Sequence, residues 1–380
     1  MTPLRYDRER VAQAKDLRRR WYDGEPVERV PFVYSVTPDK PYIWQTGSPY
    51  TFKEAALDSA KAVEGTLSAI QHQFDTFPDC DYLPSMGLSY FGEGILAALY
   101  GAEQYLVDNN PPYTKGRVYA DIYETRRMSN DFEIEDTEWG RRLREHVTRF
   151  VDATRGEIPV EVADYQSPYG TATKLMPNEE LMMAMYDEPE LVHDFLARVT
   201  DGIIKLVRAM ERWVGPENLA LNRKNPIPGE KGLILWDDYI SVLTPALHIE
   251  FCAPYNRRLF EEFGQGHLHT CGPYFPSYLD ACLACNPKSL DVSIMRGMGK
   301  TREDMLAFLE ITRARGLKLF GNMLINGVSV FETGTTYADD ALLEQFIRGG
   351  YFPVKGGSYE EGLRFKALIE SIGNSIYNKG

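Results

Sequence analysis

The chain has few cysteines, no basic excess and no long apolar run, and each absence removes a class of function. Its five cysteines are scattered and odd in number, which does not read as a disulfide framework. With 42 Lys and Arg against 55 Asp and Glu, the formal net charge is −13. The basic footprint that phosphate backbones require is therefore missing, and nucleic acid is excluded as the main partner. The same charge disfavours a highly anionic substrate unless basic residues cluster locally. No apolar run approaches the length of a membrane span, and residues 1–10 are too polar and charged to hold the apolar core of a signal peptide. There is no internal repeat, no low-complexity tract and no glycine-rich phosphate turn after the first strand-like run. These readings lead to a soluble protein of a reducing cytoplasm, with neither membrane nor nucleic acid as a partner.

What is present is enough apolar material for a large core: 43% hydrophobic and 12% aromatic residues in a chain of 380. That length suits two average domains or one large α/β barrel. Strand-like runs at 31–36, 74–81, 159–164, 233–238, 267–272, 289–294, 318–323 and 351–356 alternate with segments of helical spacing. Over 189–215 the apolar residues trace one broad helix face. The segment 301–316 opens on a capping residue, carries Glu303 and Asp304 in its first turn, and closes on Arg313 and Arg315 before Gly316. Residues 339–349 read as a further short amphipathic helix. Alternation of this kind predicts parallel strands with crossover helices, and eight runs point to a (β/α)8 TIM barrel. The expected organisation is one domain over 1–380. It has an N-terminal helical extension over 1–30, whose amphipathic part is 6–22, and an insertion-like region over 83–158 after the second strand.

The densest chemistry lies in Gly266-His267-Leu268-His269-Thr270-Cys271-Gly272-Pro273. His269 and Cys271 are two residues apart on a strand-like run, so they share one face, and imidazole with thiolate is a donor pair that zinc prefers. The bland alternative, packing or hydrogen bonding, is open on spacing alone. In a barrel the active site gathers at the carboxyl ends of the strands. There the sequence brings Asp79, Cys80 and Asp81, then Asp164, Tyr165 and Tyr169. Asp237, Asp238, Asp291, Asn322 and Lys355 follow from later strands. Cys282 and Cys285 look like a dithiol, yet with Leu279 and Leu283 they fit a helix face on which cysteine acts as a small hydrophobe. Asp237 and Asp238 can equally pair with arginines or cap a helix. His72, His193 and His248 sit in helix-like contexts and read as packing or surface residues.

Taken in order, several stretches resemble the uroporphyrinogen decarboxylase superfamily, in its cobalamin-dependent methyltransferase branch. They run from Met185-Tyr186-Asp187-Glu188-Pro189 through Trp236-Asp237-Asp238-Tyr239, Leu243-Thr244-Pro245 and His269-Thr270-Cys271-Gly272. Leu290-Asp291-Val292-Ser293 and Gly321-Asn322 complete the set. The likeness covers the second half in order and the first half loosely. It implies zinc bound by His269 and Cys271, a separate corrinoid protein as partner, a small-molecule methyl donor, and a homodimer as one expected assembly. Two departures matter. The first strand, Phe32-Val33-Tyr34-Ser35-Val36, has no arginine for porphyrin carboxylates, which disfavours porphyrinogen decarboxylation. The last strand ends Lys355-Gly356-Gly357-Ser358 where the thiol-methylating zinc enzymes have a third ligand cysteine.

A carboxylate is therefore expected as the third ligand, drawn from Glu161, Asp164, Asp237 or Asp238; Glu161 is taken with His269 and Cys271 as the metal set. Asp237, Asp238 and Asn322 are the expected catalytic residues. Tyr165, Tyr169, Trp236, Tyr239, Met323 and Lys355 are expected to wall the substrate. The reaction implied is methyl transfer from a methylated small molecule, a methoxylated aromatic in the leading form, to the Co(I) corrinoid of the partner. A harder oxygen ligand would leave zinc a stronger Lewis acid toward the leaving oxygen. Three rival readings stand beside it. They are methyl transfer from methylcobalamin to a thiol, metal-free decarboxylation, and a silent tetrapyrrole-binding protein.

Overall fold

A computed structural model describes residues 4–36, 45–221, 232–270, 277–291, 301–322, 324–325, 328–329, 344–345, 347–348 and 351–377. The first helix, α1 (Arg8–Asp23), begins where the Asp7 side chain accepts from the Arg10 N–H, and ends at Gly24 in the left-handed region. It matches the expected amphipathic segment and buries Leu17, Arg18, Trp21 and Tyr22 on one face. Strand β1 (Val33–Val36) follows. Helices α2 (Phe52–Leu57) and α3 (Ser59–Thr76) are each started by a side-chain cap, Thr51 and Asp58 respectively.

The expected strand over 74–81 is corrected. Helix α3 continues to Thr76, and residues 77–81 form a turn. Beyond it the Asp81 N–H donates to the Phe32 carbonyl at 2.7 Å, and Met86 bridges Val160. The apolar residues Phe74 and Phe77 that suggested a strand instead pack off the end of a helix. Asp79, Cys80 and Asp81 consequently lie at the start of β1, away from the carboxyl ends of the strands. There Asp81 receives two 2.6 Å hydrogen bonds from the Arg29 guanidinium and one from the Phe32 N–H.

The region over 83–158 is structured throughout. It holds α4 (Ile95–Leu99), a hairpin of β2 (Glu103–Tyr105) and β3 (Tyr113–Lys115), and α5 (Glu138–Thr154). After it come β4 (Val160–Glu161), α6 (Pro168–Leu175), α7 (Asn178–Asp187), α8 (Pro189–Val214) and β5 (Leu219–Ala220). Helix α8 has the predicted apolar face: Val192, Phe195, Leu196, Val199, Ile203, Leu206, Val207 and Met210 are all buried. Strand β5 was not foreseen; two residues are too few to show a period.

The remaining elements are β6 (Leu233–Trp236), α9 (Pro245–Phe251), α10 (Ala253–Phe263), β7 (Gly266–His269), α11 (Leu279–Leu283) and β8 (Ser289–Asp291). Then come α12 (Arg302–Ala314), β9 (Lys318–Asn322), the small pair β10 (Leu324–Ile325) and β11 (Val328–Ser329), β12 (Tyr351–Gly357) and α13 (Tyr359–Tyr377). The expected start of α12 is met by a capping box between Thr301 and Asp304. The expected helix over 339–349 lies largely outside the described residues.

Six strands form one parallel sheet in the order β1-β12-β9-β8-β7-β6. The ring is completed by weaker links. Met86 bridges Val160 in parallel, β4 pairs β5, the Ile234 N–H donates to the Leu221 carbonyl, and Gln166 bridges Trp236 in parallel. The result is an α/β barrel whose helices cover the outside, so its strands are buried on both faces. Leu233, Ile234, Leu235 and Trp236 are all buried, as a parallel strand in such a layer requires. Each large side chain enclosed here, Phe195 or Phe150 for example, contributes about 1.5–3 kcal/mol over leaving it in water. Among the described residues no helix is long and apolar enough to cross a membrane.

Candidate functional site

The ladder between β7 and β8 sets His269 directly beside Asp291. Their side chains meet: His269 Nδ1 lies 2.7 Å from Asp291 Oδ2. A carboxylate accepts only, so the proton is on Nδ1 and the lone pair of the neutral ring is on Nε2. That Nε2 faces Asp238 Oδ1 at 3.8 Å. Asp238 follows β6, the strand on the other side of β7, and β6 and β7 run in register with Trp236 opposite His269. Three neighbouring strand ends thus line up Asp291, His269 and Asp238. The His269 side chain is 16% exposed and that of Asp238 is 32% exposed, so the edge between them opens outward.

Asp237 and Asp238 point opposite ways, as successive residues leaving a strand do. Asp237 is fully buried. Its Oδ2 accepts from His248 Nε2 at 2.8 Å and Asn256 Nδ2 at 2.7 Å, and its Oδ1 from Ser167 Oγ at 3.2 Å. Burial alone would raise its pKa, but the attraction of His248 and these hydrogen bonds more than offset that and hold it below the ordinary aspartate range. Asp237 therefore braces β6 against α9, α10 and the start of α6, and has no oxygen turned to a substrate. Asp237 was expected as a catalytic group; the hydrogen bonds described for it all run to the frame of the barrel. His248, read from sequence as a packing residue, is that brace's imidazole. His193 stacks on Phe251 with ring centroids 4.7 Å apart.

Asp238 has a second partner. Its Oδ2 accepts from Gln166 Nε2 at 3.4 Å, and the same nitrogen donates to Glu93 Oε2 at 2.7 Å. The other oxygen of Glu93 is held by Lys174 of α6. Neither Glu93 nor Gln166 was singled out by sequence reasoning. Glu93 stands in irregular chain ahead of α4, with no period or motif around it. Glu161 occupies a different level of the barrel. It is five residues before Gln166, which the bridge to Trp236 puts level with His269, and its carboxylate accepts from Ser85 Oγ at 2.6 Å. Among the carboxylates expected to complete a metal set, Asp238 faces His269 Nε2.

Among the expected substrate-wall residues, Trp236 has its ring 6.4 Å from that of His269, and Tyr239 packs edge-on to Tyr169 at 5.6 Å. Tyr165 and Tyr169 are wholly buried in the core, and Tyr169 donates its hydroxyl to Asn178 Oδ1. Backbone pairing sets Asn322 beside Val354 and Lys355 beside Tyr34. Cys271 and Met323 lie outside the described residues. Cys282 and Cys285 are both completely buried, and burial drives both thiols up in pKa, so neither has the exposed thiolate that redox chemistry or metal binding uses.

The donor set can be tested against zinc. A histidine ligand needs its other ring nitrogen bonded to an acceptor, and Asp291 supplies that. With ligand bonds of about 2.0–2.2 Å, two donors of a tetrahedral zinc stand roughly 3.3–3.6 Å apart. The 3.8 Å between Nε2 and Oδ1 is within a small rotation of that span. His269 and Asp238 therefore fit two positions. Among the described residues no group of three His, Cys, Asp or Glu side chains is arranged to hold a metal ion; Cys271, the further ligand expected from the sequence, lies outside them.

The family model for uroporphyrinogen decarboxylase (URO-D) matches residues 13–212, more than half of the chain. The chain belongs to the uroporphyrinogen decarboxylase family. The match covers the half in which the likeness was loose to the eye, while the quoted motifs lie mostly beyond it. Among solved structures the chain is similar to a methyltransferase from Methanosarcina mazei, with a TM-score of 0.66 at 15% identity over 94% of this chain and 98% of that one. It also overlaps a B12-independent methionine synthase from Shewanella sp. W3-18-1 in complex with selenomethionine, with a TM-score of 0.48 at 12% identity over 92% of this chain and 98% of that one. No curated protein matches the sequence significantly.

Proposed function

We propose that this family member is a methyltransferase. It takes a methyl group from a small methylated donor, in the leading form a methoxylated aromatic, and passes it to the Co(I) corrinoid of a partner protein. The observation that carries this reading is His269, whose Nδ1–H is fixed on Asp291 while Nε2 faces Asp238 at the strand ends. His269, Asp238 and Cys271 would hold zinc, which when bound supplies Lewis-acid pull on the donor's heteroatom. The rest falls to the chain's own residues. Asp291 fixes the tautomer of His269, and Gln166 holds one oxygen of Asp238. The Trp236 ring lies beside that of His269, suited to a flat apolar donor. The electron pair of the broken C–O bond leaves with oxygen, and the acceptor supplies the pair for the new bond to carbon.

The fold likeness to a methyltransferase supports the reading at the level of architecture. The test is metal content of protein purified without chelator or affinity metal, followed by methyl transfer to Co(I) corrinoid from candidate donors. About one zinc per chain, lost in the double variant His269→Ala/Cys271→Ala, is the expected result. Protein that carries no metal in either form overturns the reading and brings forward metal-free decarboxylation.

A further inference from the structure

The amide of Gln166 joins two carboxylates that come from distant parts of the chain. Its Nε2 is within hydrogen-bond reach of both Glu93 Oε2 and Asp238 Oδ2. The nitrogen must occupy that position, since a carbonyl oxygen there would face two acceptors. The other end of the amide is less well served. Among the described residues Oε1 has no hydrogen-bond partner, and it is buried against Gly170 in the first turn of α6. A Cβ built on Gly170 would stand 2.8 Å from Gln166 Cβ and 3.1 Å from Oε1, so the helix can lie this close only because that residue is glycine. The side of the amide that is well partnered is therefore Nε2, between the two carboxylates.

We propose that Gln166 and Glu93 are positioning residues for the metal-facing oxygen of Asp238, an inference that rests on the zinc reading above. Lys174 pins Glu93, Glu93 takes one N–H of Gln166, and the remaining N–H is thereby aimed at Asp238 Oδ2. With Oδ2 held, Oδ1 is the oxygen turned toward His269 Nε2. The region over 83–158 thus reaches into the site through Glu93. Main-chain bonds fix Gln166 itself: the Ser167 N–H donates to the Trp236 carbonyl at 2.8 Å, and Thr171 Oγ1 donates to the Gln166 carbonyl at 3.1 Å.

The experiment compares the wild type, Gln166→Met and Glu93→Gln by competitive zinc titration and by the absorption spectrum of the Co(II)-substituted protein. Methionine keeps the length of the side chain and removes the N–H donors. Loss of an outer-shell partner weakens metal binding by about 10- to 100-fold. Gln166→Met should fall in that range with a shifted Co(II) band, and Glu93→Gln should move the same way by less. Glu93→Asp, which keeps the charge opposite Lys174, should recover part of the affinity. Should Gln166→Met not fold, Glu93→Gln carries the test, since its side chain is 42% exposed. Variants that fold, bind zinc within about twofold of wild type and leave the Co(II) spectrum unchanged overturn the positioning role alone. A wild type that binds neither metal overturns the zinc reading and this proposal with it.

Discussion

On the zinc site proposed above, substituting Asp291→Asn should weaken metal binding at His269 without unfolding the barrel. Asp291 is 5% exposed, and its Oδ2 takes the Nδ1 proton of His269 at 2.7 Å. That bond does two things. It keeps the proton off Nε2, and its negative charge strengthens Nε2 as a donor. Asparagine can preserve the first effect by offering its carbonyl, but it cannot preserve the second. If it offers its NH2 instead, the proton moves to Nε2 and the ligand position is blocked. Hydrogen bonds to charged groups are worth about 1.5–3 kcal/mol, and each 1.4 kcal/mol is a factor of ten. A loss of roughly ten- to a hundredfold in zinc affinity follows, in line with outer-shell partners generally. Competition against a chromophoric chelator reads the affinity, and circular dichroism checks the fold. Nitrogen-15 NMR of labelled histidine reads the tautomer. Unchanged affinity in both Asp291→Asn and Asp291→Ala, with the fold intact, would refute the assignment of Nε2 as the metal-facing atom.

Asp81→Ala should destabilise the fold, since it strips Arg29 and the Phe32 N–H of a buried partner. Because the Arg29 side chain is 47% exposed, the cost is mainly that of the unpaired Phe32 N–H, about 1–3 kcal/mol, readable as a drop in the urea midpoint, and the absence of any loss would contradict the bracing role. Gly140→Ala should destabilise by about 1–3 kcal/mol, because a Cβ at Gly140 would fall 1.8 Å from the Ile134 carbonyl oxygen. A wild-type Tm for that variant would show that α5 can shift freely. The buried His146 should make stability fall on acidification. Burial lowers its pKa, and contacts of its ring nitrogens with the Arg142 and Ala55 carbonyls oppose this only in part. The unfolded chain therefore takes up the proton first, and stability present above the ordinary histidine range is lost as pH falls through it, at no more than about 1.4 kcal/mol per pH unit. Urea titrations at pH 7.5 and 5.5 should give a larger loss for wild type than for His146→Gln, and equal losses would contradict the assignment.

Local pattern carried much of the architecture. The apolar face of α8, the Thr301 cap of α12 and seven of the eight expected strand runs are recovered, because period and capping act within a few residues of chain. The eighth run was misread because a short apolar run does not by itself separate a strand from the last turn of a helix, and Phe74 and Phe77 stand at a helical i, i+3 spacing. Strand β5, two residues long, had no period to show.

Residue type alone singled out His269, since imidazole with thiolate is a donor pair zinc prefers, with packing or hydrogen bonding left open by the spacing. Which partners complete it was not legible. Asp291 is 22 residues away in sequence and meets His269 only because β7 and β8 pair in register. The separation of roles between Asp237 and Asp238 depends on which face of β6 looks outward, and no sequence symmetry breaks that tie. Glu93 reaches the site across 73 residues through Gln166. Sequence by itself determined most of the elements, because propensity and capping are local properties. Only the tertiary structure decided which carboxylate faces the imidazole, because that depends on strand register and on which neighbours the barrel brings together.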